Sequence, residues 1–317
     1  MKTLFTLIAF VLSCYTLLAQ TISNMKESEL VLNTSTGNIH GTLSIPNAAE
    51  KTPVIIIVPG SGSTDRDGNI PPVVQARPYK MLAQECANKG ISTLRYDKRG
   101  AGKSKGAVLT ENELRFETYV DDVIGWIKIL KADDRFSKVI VLGHSEGSLV
   151  GMIAANKTNT DGYISLAGCG KPADQMLRDQ LKVLPPNLLI ELGTVLDKLK
   201  QGETTPNVNS NLYQFIRPSV QPYLMSWMKY DPAVELKKLH IPVLILQGTT
   251  DIQVTVDHAK MLSEALPKAK LVIIDNMNHV LKEAPANRQA NLATYGNPAL
   301  PIKPELSNSI VEFVKSK

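Results

Sequence analysis

Gly143-His144-Ser145-Glu146-Gly147 is the most informative segment of this 317-residue chain. It follows Val139 to Leu142, an apolar run typical of a buried strand, and precedes Leu149 to Ala155, which favours a helix. A serine between two such glycines, on a turn from strand to helix, is typical of a nucleophile elbow. The glycines leave room for a sharp turn, and the helix N-terminus favours negative charge that develops beside the serine. We therefore predict that Ser145 is a nucleophile.

Short apolar runs recur on both sides of this segment and alternate with amphipathic stretches. The predicted strands are Pro53–Val58, Ile91–Tyr96, Lys138–Leu142, Tyr163–Ala167, Val243–Leu246 and Leu271–Ile274. The predicted helices, besides the one after the elbow, are Tyr79–Lys89, Tyr119–Leu130, Asp257–Leu266 and Ser307–Val314. This alternation favours an α/β fold with a mostly parallel sheet covered by helices on both faces. Leu30 to Ile45 instead predicts an antiparallel hairpin at the sheet edge, with its turn at residues 35–38.

One long segment lacks the alternation of strands and helices. Between Lys171 and about Leu239 no strand is evident, leucines at helical spacing mark a helix near residues 188–199, and prolines punctuate the rest. Because a long interruption inside a compact domain usually serves a function, we predict a helical cap at residues 171–239. Residues 20–170 and 240–317 then form the core. The alternative is a set of packing helices that do not contact substrate.

A serine hydroxyl needs a base to take its proton, and histidine is the usual base. Among the five histidines, His279 lies in a loop directly after the strand Leu271–Ile274, where catalytic residues gather in open α/β sheets. The sharp turn should point His144, the neighbour of Ser145, away from the nucleophile. His40, His240 and His258 lie in a hairpin, before a strand and in a helix, respectively. We therefore predict that His279 is the base.

The base needs a carboxylate that orients it, and Asp251 directly follows the strand Val243–Leu246. The chain order is then Ser145, Asp251, His279, which is the order found in α/β-hydrolases. A helix-capping role for Asp251 is the alternative, and Asp231 and Asp257 are weaker candidates for the acid.

Acyl transfer also needs two donors for the oxyanion that forms in the transition state. The backbone N–H of Glu146, directly after the nucleophile, is one candidate. The second is the N–H of Ser61, in a loop where Gly60 and Gly62 let the backbone approach a substrate closely.

These motifs together with Arg95-Tyr96-Asp97-Lys98-Arg99-Gly100-Ala101-Gly102-Lys103-Ser104 resemble the α/β-hydrolase superfamily. The loop from Gly60 to Asn69, the turn Gly248 to Val254 and the stretch Asn278 to Pro285 are similar to a branch of bacterial serine carboxylesterases. That branch is related to the serine aminopeptidases and acyl-peptide hydrolases. The resemblance implies a mostly parallel sheet with an inserted cap, and a Ser145–His279–Asp251 triad that needs neither a metal nor an organic cofactor.

Composition narrows the classes of partner. The net charge is only +5, and the basic residues are scattered among acidic ones, so we expect no binding of nucleic acid. Two charged clusters, at residues 66–67 and 95–99, predict a salt-bridge network rather than a site for acidic substrates. Cys86 lies in a helical stretch and Cys169 follows an apolar strand, and a core of this size needs no disulfide, which favours two buried thiols. The sequence leaves the oligomeric state open.

The N-terminus has the pattern of a signal peptide at residues 1–19. Lys2 precedes an apolar run from Leu4 to Leu18 that is too short for a comfortable membrane span, and cleavage is expected after Ala19. We therefore expect export to the periplasm or the medium and no stable membrane span in the mature chain. A buried N-terminal helix and lipoprotein processing at Cys14 are the alternatives.

The sequence thus predicts a serine carboxylesterase that hydrolyses small to medium acyl esters. A serine aminopeptidase or amidase, with cap carboxylates such as Glu191 or Asp197 holding the substrate amine, is an alternative, as is a thioesterase or acyltransferase. A binding protein without catalysis is the remaining class, although such proteins usually lack a triad residue.

Overall fold

The computed structural model describes residues 25–47 and 50–316. The predicted signal peptide, its cleavage site after Ala19 and the alternative site at Cys14 lie outside the described residues.

The described residues form an eight-stranded mixed sheet in the order β1-β2-β4-β3-β5-β6-β7-β8. The strands are β1 (Met25–Thr34), β2 (Gly37–Pro46), β3 (Thr52–Val58), β4 (Ser92–Tyr96), β5 (Phe136–His144), β6 (Gly162–Leu166), β7 (Val243–Gly248) and β8 (Lys270–Ile274). β1 pairs antiparallel with β2, and β2 with β4, whereas the other neighbours are parallel. The predicted edge hairpin and mostly parallel sheet are therefore confirmed.

Helices cover the sheet. They are α1 (Pro78–Asn88), α2 (Phe116–Lys131), α3 (Glu146–Thr158), α4 (Ala173–Gln180), α5 (Pro186–Lys200), α6 (Tyr213–Ile216), α7 (Gln221–Trp227), α8 (Pro232–Lys237), α9 (Val256–Ala265), α10 (Arg288–Ala293) and α11 (Pro304–Lys315). Each helix predicted from the periodicity is present, with ends that differ by a few residues.

The continuous apolar run of β3 reflects burial on both faces of the sheet. Successive strand side chains point to opposite faces. Val54 and Ile56 accordingly join the core cluster that includes α2 and α3, whereas Ile55 and Ile57 join the cluster formed with α1 and α11. A strand between two helical layers therefore needs apolar side chains at every position.

Between β6 and β7 the chain forms α4 to α8 without a strand. This segment packs on α2, where the Phe116 ring stacks on Trp227 with centroids 6.0 Å apart. The Ser226 hydroxyl accepts a 2.8 Å hydrogen bond from the Phe116 N–H. The predicted leucine stripe belongs to α5, where Leu188, Leu192 and Leu196 are buried.

The charged residues near the loop after β3, called the oxyanion loop because it carries the predicted donor Ser61, form the predicted salt-bridge network. Arg66 pairs with Asp97 at 2.7 Å and Arg99 with Asp122 at 2.6 Å. Arg95 bridges Asp67 and Glu27. These pairs hold β1, β4 and the loop after β3 together. Cys86 and Cys169 are both free thiols, and within residues 25–47 and 50–316 no helix combines the length and apolar character needed to cross a bilayer.

Candidate active site

The turn that carries Ser145 joins a strand to a helix, as predicted, and its backbone is strained. Ser145 has φ 57° and ψ −123°, a conformation that costs a non-glycine residue about 1–3 kcal/mol. A Cβ on Gly143 would lie 2.2 Å from the Gly147 carbonyl oxygen, so only glycine fits there. Ser145 is partly exposed between two buried neighbours, at the point where β5 ends and α3 begins.

Asp251 and His279 are hydrogen bonded. Asp251 Oδ2 lies 2.8 Å from His279 Nδ1, and both side chains are buried. The other carboxylate oxygen accepts from the N–H groups of Gln253 and Val254 at 2.8 and 2.9 Å. Asp251 thus stabilises the turn before α9 and orients His279 at the same time. Burial raises the pKa of Asp251, but His279 and these hydrogen bonds outweigh it, so the pKa lies below its usual value.

The loop of His279 is held by its neighbour Asn278. The buried Asn278 amide donates to Asn291 Oδ1 and Thr294 Oγ1 at 3.1 and 2.7 Å, and its oxygen accepts from the Lys282 N–H. This positioning role was not predicted, because Asn291 and Thr294 lie in a segment to which no motif draws attention. The loop also packs on the acid turn, where the Thr250 N–H donates to the Met277 carbonyl.

Ser145 and His279 line one cavity of ≈1120 Å³, together with Gly60 and Ser61. A Cβ on Gly60 would lie 3.2 Å from the Ser145 Cβ, so this loop lies directly against the predicted nucleophile. Glu146 is the first residue of α3, and an N–H at that position has no partner within its own helix. The structure therefore brings Ser61, the predicted nucleophile Ser145 and the predicted base His279 to one cavity, and Glu146 directly follows Ser145 in the chain.

The structure also places the other candidate acids and bases. Asp231 caps α8 by accepting from the Ala233 and Val234 N–H groups. His258 also lines the cavity, but its Nδ1 accepts from the Gly170 N–H at 3.1 Å. Asp257 lines the cavity as an exposed side chain.

His144 does not point away from the site as expected, and this prediction is wrong. Its ring lies 4.7 Å from that of His279, and its Nε2 donates to the His279 carbonyl at 3.0 Å. Its Nδ1 accepts from the Tyr79 hydroxyl at 2.8 Å, and that hydroxyl accepts from the Gly60 N–H at 3.4 Å. Burial and the adjacent His279 lower the pKa of His144 to about 3, so His144 stays neutral. Through these hydrogen bonds His144 joins the oxyanion loop to the loop that carries His279.

The segment between β6 and β7 supplies part of the cavity wall. Its apolar lining side chains are Met176, Leu181, Val183 and Phe215. The charged lining residues from the whole cavity are Lys171, Lys182, Arg288, Asp179 and Asp257, and Asp179 pairs with Lys171 at 2.6 Å. The cap carboxylates named above for amine recognition are bound elsewhere, since Glu191 accepts from the Asn209 N–H and Asp197 pairs with Arg178.

Comparisons with known proteins agree with this architecture. The family model described as serine aminopeptidase, S33, matches residues 74–284. Esterase EstD of Thermotoga maritima is 30% identical over 267 residues, which cover 81% of this chain and 60% of the esterase. The chain thus spans less than two thirds of that relative. A probable lysophospholipase L2 of Haemophilus influenzae is 25% identical, covering 63% of this chain and 72% of that protein.

Two solved structures show the same fold. Est1E of Butyrivibrio proteoclasticus with ferulic acid bound superposes with a TM-score of 0.62 at 18% identity, covering 91% of this chain and 100% of Est1E. The acylaminoacyl peptidase of Pyrococcus horikoshii gives a TM-score of 0.58 at 14% identity, covering 92% of this chain and 42% of the peptidase.

Proposed function

Because the chain belongs to the serine aminopeptidase S33 family of α/β-hydrolases, we propose that it is a serine carboxylesterase that hydrolyses small to medium acyl esters. The observation that carries this proposal is the buried Asp251–His279 hydrogen bond beside a cavity that Ser145 and His279 share.

In the proposed reaction, Ser145 Oγ attacks the ester carbonyl while His279 Nε2 takes its proton. The N–H groups of Ser61 and Glu146 stabilise the oxyanion. His279 then protonates the leaving alcohol, and water activated by His279 releases the acid from the acyl-enzyme. Asp251 keeps the His279 proton on Nδ1 and stabilises the imidazolium. No step requires a metal or an organic cofactor.

The charges of the cavity favour an ester over a peptide with a free amino terminus. An aminopeptidase needs negative charge near the nucleophile to bind the substrate ammonium. Here three cationic side chains, Lys171, Lys182 and Arg288, line the cavity against two carboxylates, and one of those is paired with Lys171. A neutral or anionic acyl ester therefore fits this lining better than an ammonium group.

The test compares p-nitrophenyl esters of increasing chain length with aminoacyl p-nitroanilides on one preparation. We expect turnover of short esters, negligible turnover of the anilides, and a chain-length cutoff that reports the size of the cavity. Ser145→Ala should abolish hydrolysis and labelling by a fluorophosphonate without lowering the melting temperature. An active Ser145→Ala variant would overturn the mechanism, and anilide turnover at comparable rates would replace the esterase with an aminopeptidase.

We also propose that the chain is exported after cleavage behind Ala19, on the strength of Lys2 and the apolar run that follows it. Intact-mass measurement of the protein secreted by a Gram-negative host tests this directly. A mass that corresponds to residues 20–317 supports the proposal, whereas the mass of a chain lipid-modified at Cys14 or of an uncleaved chain contradicts it.

A further inference from the structure

A buried lysine lies beneath the oxyanion loop and is not part of the triad. Lys98 and Glu146 form an ion pair at 2.8 Å in which each side chain is 4% exposed. The same ammonium donates to the Gly60 carbonyl oxygen at 2.9 Å and lies 4.1 Å from the centre of the Tyr119 ring. One cation therefore contacts both segments that carry the oxyanion donors.

The contact with Gly60 determines where the Ser61 N–H points. The Gly60 carbonyl and the Ser61 N–H belong to the same peptide group, and this bond is not the cis peptide of the described chain, which joins Pro71 and Pro72. In a planar trans peptide the C=O and N–H point in opposite directions. A donor that holds the carbonyl therefore aims the Ser61 N–H away from Lys98.

A cation at this position also changes the strength of the donor. Hydrogen bonds polarise one another in a low-dielectric interior. An ammonium group that donates to the Gly60 carbonyl oxygen therefore makes the N–H of the same peptide a better donor. The Gly60 N–H is held as well, by the Tyr79 hydroxyl. Both peptide groups of Gly60 are thus anchored before a substrate arrives.

The ion pair keeps Lys98 charged in a buried place. Burial alone would lower the pKa of Lys98, but the Glu146 carboxylate outweighs it and the pKa lies above its usual value. Glu146 Oε1 in turn accepts from the Tyr223 hydroxyl of α7 at 2.6 Å. The segment between β6 and β7 therefore contacts the oxyanion residues through Tyr223, Glu146 and Lys98.

We propose that Lys98 is a positioning residue that orients and polarises the Gly60–Ser61 peptide as an oxyanion donor, with Glu146 and Tyr223 holding it in place. This inference rests on the proposed esterase function and gives a role to Lys98 that the Arg95–Ser104 motif alone does not indicate. Lys98 does not touch substrate and acts through the Gly60 carbonyl.

The test uses a readout that a merely structural role would not change. Oxyanion donors act on an oxygen, whereas the sulfur of a thionoester is a weak acceptor. We would measure kcat and KM for p-nitrophenyl acetate and p-nitrophenyl thionoacetate in the full chain. The oxygen-to-sulfur ratio of kcat/KM then reports how well the oxyanion donors are arranged.

The decisive variant is Lys98→Met combined with Glu146→Gln, because it removes both charges and leaves no ion unpaired. Loss of one oxyanion donor typically lowers kcat about 10²–10³-fold. Here the donor stays but is no longer held, so we expect kcat on the oxygen ester to fall roughly 10–100-fold. KM should change little, and the oxygen-to-sulfur ratio should fall at least about tenfold.

The matched control is Arg99→Met with Asp122→Asn, which removes another buried ion pair, one whose partners do not include Gly60. It should lower the melting temperature without changing the ratio. Tyr223→Phe removes the hydroxyl that holds Glu146 but keeps the Lys98–Glu146 ion pair. It should lower the oxygen-to-sulfur ratio by a few fold, and it replaces the double variant as the test if the double variant does not fold. An unchanged oxygen-to-sulfur ratio in the folded double variant would overturn the inference. If the double variant does not fold, an unchanged ratio in Tyr223→Phe would overturn it. If the wild type hydrolyses neither ester, the proposed function itself is wrong.

Discussion

Replacing Asp251 by asparagine tests the orienting role of the acid in a way the structure makes specific. Asp251 Oδ1 accepts from two backbone N–H groups, those of Gln253 and Val254, so the amide oxygen of an asparagine must take that place. The NH₂ group is then forced to face His279 Nδ1. There it donates to Nδ1 and drives the imidazole proton to Nε2. A histidine with that proton position cannot accept a proton from Ser145.

The expected loss of activity follows from the wrong tautomer of His279 rather than from weaker substrate binding. In a Ser-His-Asp enzyme the same substitution lowers kcat about 10⁴-fold, or about 5 kcal/mol of transition-state stabilisation at 1.36 kcal/mol per decade. We expect a loss of that size with KM within a few fold. The new NH₂ also faces Gln247 Nε2, which donates to Asp251 Oδ2 at 3.2 Å. Because hydrogen bonds to charged groups contribute about 1.5–3 kcal/mol, the free energy of unfolding should fall by roughly that amount.

The assay is steady-state hydrolysis of p-nitrophenyl acetate with urea denaturation of the same preparations. Asp257→Asn is the matched control, because this exposed carboxylate lines the same cavity and its ion-pair partner is Lys260 at 3.8 Å. It should keep nearly full activity and stability. Asp251→Asn with kcat within tenfold of wild type would refute the assignment of the acid.

Two further predictions concern residues close to Ser145 in the chain. Gly147→Ala should lower the free energy of unfolding by about 1–3 kcal/mol or more, because its Cβ would lie 2.4 Å from the carbonyl oxygens of Val58 and Pro59. Urea denaturation measures this, and Gly106→Ala, with open space around it, should show little change. His144→Asn should lower kcat but leave the acid-side midpoint of the kcat/KM profile unchanged, because the pKa of His144 is about 3 and the group is neutral throughout the assay range. A shifted midpoint would mean that His144 titrates with the activity.

The alternation of apolar runs and amphipathic stretches was enough to predict the sheet and its main helices. The apolar runs in β3 and β5 are continuous because both faces of those strands are buried, and their short length and β-branched residues favour strands. The candidate site could also be predicted from the sequence, for a related reason. Ser145, Asp251 and His279 each lie within five residues of the end of a strand, and the carboxyl ends of parallel strands meet at one edge.

The sequence could not reveal the contacts that hold the site together. Lys98 and Glu146 are separated by 48 positions, and Tyr79 and His144 by 65. Charged and polar side chains at such separations are compatible with an exposed surface until the fold is known. His144 shows the difficulty most clearly, since the turn geometry gave the wrong direction for its ring. Its partners come from α1 and from the His279 loop, and neither is implied by the elbow itself.

Strand register accounts for the close approach of the oxyanion loop to Ser145. Val58 of β3 pairs with Gly143 of β5, so Gly60 and Ser145 both lie two residues beyond paired positions at the same edge. This equivalence places the two backbones side by side before any side chain acts, consistent with the 3.2 Å separation at Gly60. A shift of one residue between β3 and β5 would reverse the facing of β3 and move Gly60 away from Ser145. Successive side chains of β3 pack into two different core clusters, and this packing fixes the register of β3. The same packing therefore fixes the position of the oxyanion loop.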